Sequence, residues 1–285
     1  IRRWAGTFKA KLAFRNDETG NLAFVDYTQG GSVVTEIEDT LNVYHPDISP
    51  DGNWVAFCTG LEGVRGKSSV YVRSLDSIGS GLVKLDVENA AIPRWRVLES
   101  GDTVIVYVTD AGNNKDESVF KQASTWQVRF SKGKFGTPEK LFGGAYHGGV
   151  SDGNSFAVSG ARLLRARVAG VDTVWYNGEQ ACNASLSKDN SKQTLFLDFA
   201  SRTGTDFVGK SYGAHEVAFV ADSAGRLVRY VMAPEGYAFD HTEWMQGTNH
   251  MFVASLTDAN GRHARIADTA ITLLTGLDFQ SLYDD

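Results

Sequence analysis

Five polar residues stand at matching places along the chain. His45, Arg94, His147, Asn183 and His241 each precede a turn by four residues. Two residues further on come Asp47, Arg96, Gly149, Ser185 and Glu243. Side chains two apart on a strand share a face, so both sets are expected to line one polar ring. Such a ring is too polar for a sealed core, because buried charges need partners, water or a ligand. Arg94 or Arg96 suits a carboxylate or sulfate through the planar guanidinium fork. Asp47 and Glu243 suit sugar hydroxyls, and Trp95 or Trp244 would stack on a sugar if either reaches the same face. The ligand-binding set is therefore His45, Asp47, Arg94, Arg96, His147, Asn183, His241 and Glu243. Neutral imidazoles from His45, His147 and His241, if they converged, would suit a divalent transition metal with an open coordination position. That alternative makes the chain a metal-assisted lyase or hydrolase acting on acidic polysaccharide. The plainer alternative is a solvated ring whose polar groups pair with one another and with trapped water.

The elements that would position these residues are short strands. Val70–Arg73, Thr103–Val108, Thr194–Phe199 and Met251–Leu256 are β-branched or aromatic runs bounded by Gly, Asn, Asp and Ser. Ala161–Ala169 comes nearest to a helical stripe, yet its alternation of Arg and apolar residues reads equally well as a strand. The clearest unit is His45-Pro-Asp-Ile-Ser-Pro-Asp-Gly-Asn-Trp-Val-Ala-Phe, a strand, a Ser-Pro-Asp-Gly turn and a second strand. Tyr146–Val158 matches it almost step for step, and the stretches beginning at Pro93, Asn183 and Asp240 keep the pattern with altered turn letters. The anchors lie 49, 53, 36 and 58 residues apart, close to the period of one four-stranded propeller blade. Phe8–Glu38 supplies about three more strands without a clear anchor and reads as a first blade. The expectation is one all-β domain of six four-stranded blades, at 1–42, 43–87, 88–142, 143–179, 180–236 and 237–285. Five blades with an N-terminal addition is the alternative.

Composition narrows the remaining classes. In 285 residues there are 30 Gly and only 5 Pro, which suits many strands joined by tight turns. A net charge of −6 without a basic run argues against a nucleic-acid partner. The longest apolar runs are about five residues, as at Val104–Val108, too short for a membrane span. The opening Ile1-Arg2-Arg3-Trp4 has no initiator Met, signal core or lipidation motif, as expected of a mature form or a piece of a longer protein. Cys58 and Cys182 are expected as buried free thiols, being too few for a disulfide framework. Asp110–Glu117 reads as a flexible hairpin rather than a calcium loop. His215, His250 and His263 are expected at outer strands and turns, and Trp54, Trp126 and Trp175 as packing between blades. No dinucleotide glycine fingerprint occurs, and no catalytic residue is assigned.

The His45–Phe57 stretch resembles the WD40-like repeat of TolB-type propellers, which recurs in the propellers of prolyl oligopeptidase relatives and of oligogalacturonate lyase. That resemblance implies the fold and says little of activity. Oligogalacturonate lyase relatives use a histidine-rich metal site on a similar propeller, although the close histidine pair of such a lyase is missing here. Tyr146-His-Gly-Gly, Val174–Ser187, Ala91–Val97 and Phe239–Trp244 are similar to an uncharacterised paralogous family of large predicted lipoproteins from Fibrobacter. In that family the propeller-like region belongs to longer chains, some with a formylglycine-generating-enzyme-like segment that is absent here. This similarity implies a secreted or envelope-associated protein. The overall expectation is a non-catalytic binding or scaffolding propeller recognising polysaccharide or an envelope protein, with no resident cofactor beyond the divalent-metal alternative.

Overall fold

Alternating apolar positions and glycine-bearing turns fold this chain into antiparallel sheets. The computed structural model describes residues 9–30, 33–61, 67–246, 251–258 and 272–276. The first sheet holds β1 (Lys11–Arg15), β2 (Leu22–Asp26) and β3 (Val34–Ile37), and the second β4 (Tyr44–Ile48), β5 (Trp54–Cys58), β6 (Val70–Ser74) and β7 (Val83–Lys84). The third contains β8 (Ala90–Val97), β9 (Thr103–Thr109), β10 (Ser124–Ser131), β11 (Lys134–Phe135) and β12 (Glu139–Gly143). A seven-stranded sheet follows, with β13 (Gly149–Val150), β14 (Phe156–Val168), β15 (Val171–Val174), β16 (Gln180–Leu186), β17 (Thr194–Asp198), β18 (Val217–Ala221) and β19 (Leu227–Met232). The last sheet is β20 (Tyr237–Trp244), β21 (Met251–Asp258) and β22 (Thr272–Gly276).

The chain divides into two compact units, Ile1–His147 with the first three sheets and Gly148–Asp285 with the other two. In the first unit Leu22, Phe24, Val55 and Phe57 form a core between the first two sheets. Trp54 meets Phe130 edge-on, joining the second and third sheets. In the second unit Phe156, Leu164, Tyr176, Phe196 and Phe219 pack on one face of the seven-stranded sheet. Leu195, Leu197, Phe239, Trp244 and Phe252 join its other face to the last sheet.

The Ala161–Ala169 ambiguity resolves as strand: β14 runs through it, pairing in turn with β13, β16 and β15. This long strand fuses the third and fourth copies of the repeat into one sheet. Gly160 permits the crossing, since a Cβ there would lie 2.8 Å from that of Ala184. The stretch Asp110–Glu117 does not form a hairpin. It leads into helix α1 (Glu117–Gln122), whose first turn is capped by the Asp116 carboxylate accepting from the Ser118 and Val119 N–H groups. A second helix, α2 (Arg202–Val208), enters after β17.

Candidate functional site

Every copy of the repeat closes its turn with the same backbone bond. The N–H groups of Ser49, Leu98, Ser151, Ser187 and Met245 donate to the carbonyls of Trp54, Asp102, Phe156, Gln193 and Met251 at 2.8–3.1 Å. In the Ser-Pro-Asp-Gly copy, the Trp54 N–H also donates to Ser49 Oγ, and Gly52 takes φ +72°. Four of the strands that lead into these turns carry a β-bulge whose central residue is left-handed: His45 (φ +51°), Ile92 (+51°), Asn183 (+51°) and His241 (+49°). Counted from the bulge, Ile92 and not Arg94 is the equivalent of His45, because β8 is two residues longer between bulge and turn. The Pro that follows both His45 and Ile92 carries this register in the sequence. The third copy has no such residue. Its Gly148 lies so close to β16 that a Cβ would be 2.6 Å from the Ala184 carbonyl oxygen.

The corrected register exposes a recurrent clasp. Two residues beyond the bulge, the Asp47 carboxylate accepts the Trp95 N–H at 2.7 Å, and the Asp47 carbonyl accepts the Trp95 indole at 2.9 Å. In the second unit Ser185 Oγ accepts the Trp244 N–H at 3.1 Å and donates to Glu243 at 2.9 Å. Both tryptophans lie three residues after a bulge and are 3% and 2% exposed. Neither reaches a surface, so the expected stacking platforms are core residues instead: their rings fill the space between sheets. Asp47 is buried as well, and its acceptors serve the clasp.

His147 is also buried. Burial, and to a lesser degree the charge of nearby Arg94, hold its imidazole down to about 3. A ring sealed in this state is out of reach of a ligand arriving from solvent. The remaining members of the set keep some contact with solvent: His45, Arg94, Arg96, Asn183 and Glu243 are half-buried and His241 is exposed. Arg96 donates to Gln127 at 2.8 Å, which donates to Glu139 at 2.8 Å. The Asn183 amide and the His241 N–H both donate to Asp240 Oδ1, at 2.8 and 2.9 Å, while Thr242 Oγ1 donates to the Asn183 carbonyl at 3.1 Å. Lys188 lies 3.8 Å from Glu243. Among the described residues no group of three or more His, Cys, Asp or Glu is placed to hold a metal ion, so His45, His147 and His241 form no such centre.

Sequence reasoning missed His215. The expectation of a surface histidine fails, because its Nε2 lies 3.2 Å from Cys182 Sγ. Cys182 is accordingly only half-buried, whereas Cys58 is fully buried, its thiol pushed up by burial. His250 and His263 fall outside the described residues. Beside this pair lies the buried Asp198, whose Oδ2 accepts from the hydroxyls of Tyr176, Tyr212 and Ser201 and from the Ser201 N–H. Ser201 in turn caps α2. Burial drives the Tyr176 and Tyr212 hydroxyls well above the ordinary phenol range.

The sheets and their repeated turns define a β-propeller-type fold, and comparison with solved structures agrees. A crystal structure of the tricorn protease, which contains propeller domains, aligns over 88% of this chain at 14% identity and a TM-score of 0.51. The aligned chain spans 24% of that protein's length. A protein of unknown function from Bacteroides caccae aligns over 90% of this chain and 92% of its own, with 8% identity and a TM-score of 0.47. No family model matches the sequence, and no curated protein does. Among the described residues, no helix is long and apolar enough to cross a membrane.

Proposed function

We propose that the chain is a non-catalytic binding and scaffolding propeller of a secreted or envelope-associated protein, and that it recognises polysaccharide. The polar groups at and just beyond its inner bulges would do so: His45, Arg94 and Arg96 in the first unit, Asn183, His241 and Glu243 in the second. In this proposal the sequence comprises six blades, the seven-stranded sheet holding the fourth and fifth. The observation that carries it is the set of left-handed bulges. Backbone held in a sparsely populated conformation costs of order 1–3 kcal/mol and persists where something else requires it. Here three of four such positions carry His or Asn with partial access to solvent, while the residues beside them are buried in the clasps. A hydroxyl-rich ligand matches this mixture of donors and acceptors, and the Arg fork adds affinity for uronate or sulfate groups. The similarity of the Tyr146–Gly149 and Phe239–Trp244 stretches to predicted lipoproteins supports the location.

The experiment is retention of the protein on immobilised neutral and acidic polysaccharides, compared with Arg94→Ala and His241→Ala. The expected result is binding by the parent chain, weakened about tenfold by loss of one charge-assisted contact, with unchanged melting. Failure of the parent chain to bind any polysaccharide tested would overturn the proposal.

A further inference from the structure

Cys182 on β16 and His215 at the entry to β18 come from positions 33 residues apart and meet at 3.2 Å, within reach for a nucleophile and its base. The fold holds the histidine from several sides. Its backbone is left-handed, at φ +62°, its N–H donates to the Asp198 carbonyl at 2.9 Å, and its own carbonyl accepts the Phe239 N–H at 2.8 Å. The Phe199 ring packs edge-on against the imidazole, with centroids 4.6 Å apart. Charged and titratable groups face the ring from each neighbouring strand: Cys182 from β16, Asp198 from β17, Asp240 and His241 from β20. Burial keeps the imidazole neutral, with His241 acting the same way, while Asp240 and Asp198 favour its taking a proton. Asp198 Oδ1 is buried and accepts no hydrogen bond among the described residues, so this carboxylate keeps an oxygen not engaged by another donor. A neutral imidazole at this distance is suited to accept the thiol proton as the sulfur reacts, with the two carboxylates partly offsetting the cost of its charge.

We infer that Cys182 is a modification site, a nucleophilic thiol that His215 deprotonates and that hydrogen peroxide oxidises to the sulfenic acid. The sulfur lone pair attacks one peroxide oxygen. An S–O bond forms as the O–O bond breaks, sulfur is oxidised, and the peroxide is reduced to water. The thiol proton, held on His215 Nε2, passes to the departing hydroxide. Asn183, the next residue along β16, donates to Asp240, one of the carboxylates that act on His215. Cys58 is the only other thiol and is fully buried in the first unit, which makes it an internal control.

The test treats the whole chain with hydrogen peroxide and dimedone, maps the adduct by mass spectrometry, and measures iodoacetamide alkylation of each cysteine across pH 6–9. The expected adduct is on Cys182 alone, with alkylation at pH 7 about tenfold faster than for a simple thiol ionising near pH 8.5. His215→Gln should slow this about tenfold and move the profile up towards about pH 8.5, the value of an unassisted thiol. Asp240→Asn should move it the same way by less. Alkylation of Cys58 would reveal a misfolded variant, and the parent chain's rate and profile then decide alone. A parent profile no different from a simple thiol, or an adduct absent or found on Cys58, would overturn the inference.

Discussion

His147 couples stability to pH at the level of a single residue. Its imidazole stays neutral in the fold down to about pH 3, while the unfolded chain takes up a proton near pH 6.5. Between those values the unfolded state binds more protons, so stability is complete above pH 6.5 and falls as the pH drops through this window. The slope attributable to one such group is about 1.4 kcal/mol per pH unit. Urea unfolding at pH 7 and pH 5 should show this loss, and His147→Gln should flatten it. A slope unchanged in the variant would place the acid sensitivity elsewhere.

At the scale of elements, the clasps predict unequal costs. Asp47→Ala strips the acceptor from a buried N–H and should destabilise by about 2–3 kcal/mol, whereas Ser185→Ala, losing a neutral hydroxyl, should cost about 1–2 kcal/mol. Chemical denaturation of the two variants measures both. The strands and turns that present these groups were legible because their causes are local: Ser49, Pro50 and Gly52 specify the turn, and alternation specifies the strands. The register of β8 was not. Counting from the turn aligns Arg94 with His45, whereas the bulge at Ile92, a product of pairing with β9, places it two residues earlier, and the Pro after each bulge is its one trace in the sequence. Burial of Trp95 and Trp244 likewise follows from a neighbouring strand that no local pattern names. The Cys182–His215 pair was illegible for the same reason, since β17 and α2 intervene between the two residues.

For the whole molecule, charge balance sets the solution behaviour. With a net charge of −6 and an isoelectric point near 5.6, mutual repulsion between copies fades just where His147 begins to weaken the fold. Light scattering across pH 4–8 should show association greatest near pH 5.6; a maximum above pH 7 would contradict this. The bulges recur in both compact units, and this has a consequence for adaptation. Because the pose at positions 45, 92, 183 and 241 is dictated by strand pairing around them, the group mounted there can change while its surroundings stay put. Ile92 already occupies one of these mounts with an apolar group. Exchanging the groups at 45, 183 and 241, the three with access to solvent, would alter the polar surface without asking the scaffold to be rebuilt, whereas Ile92 is sealed in the core.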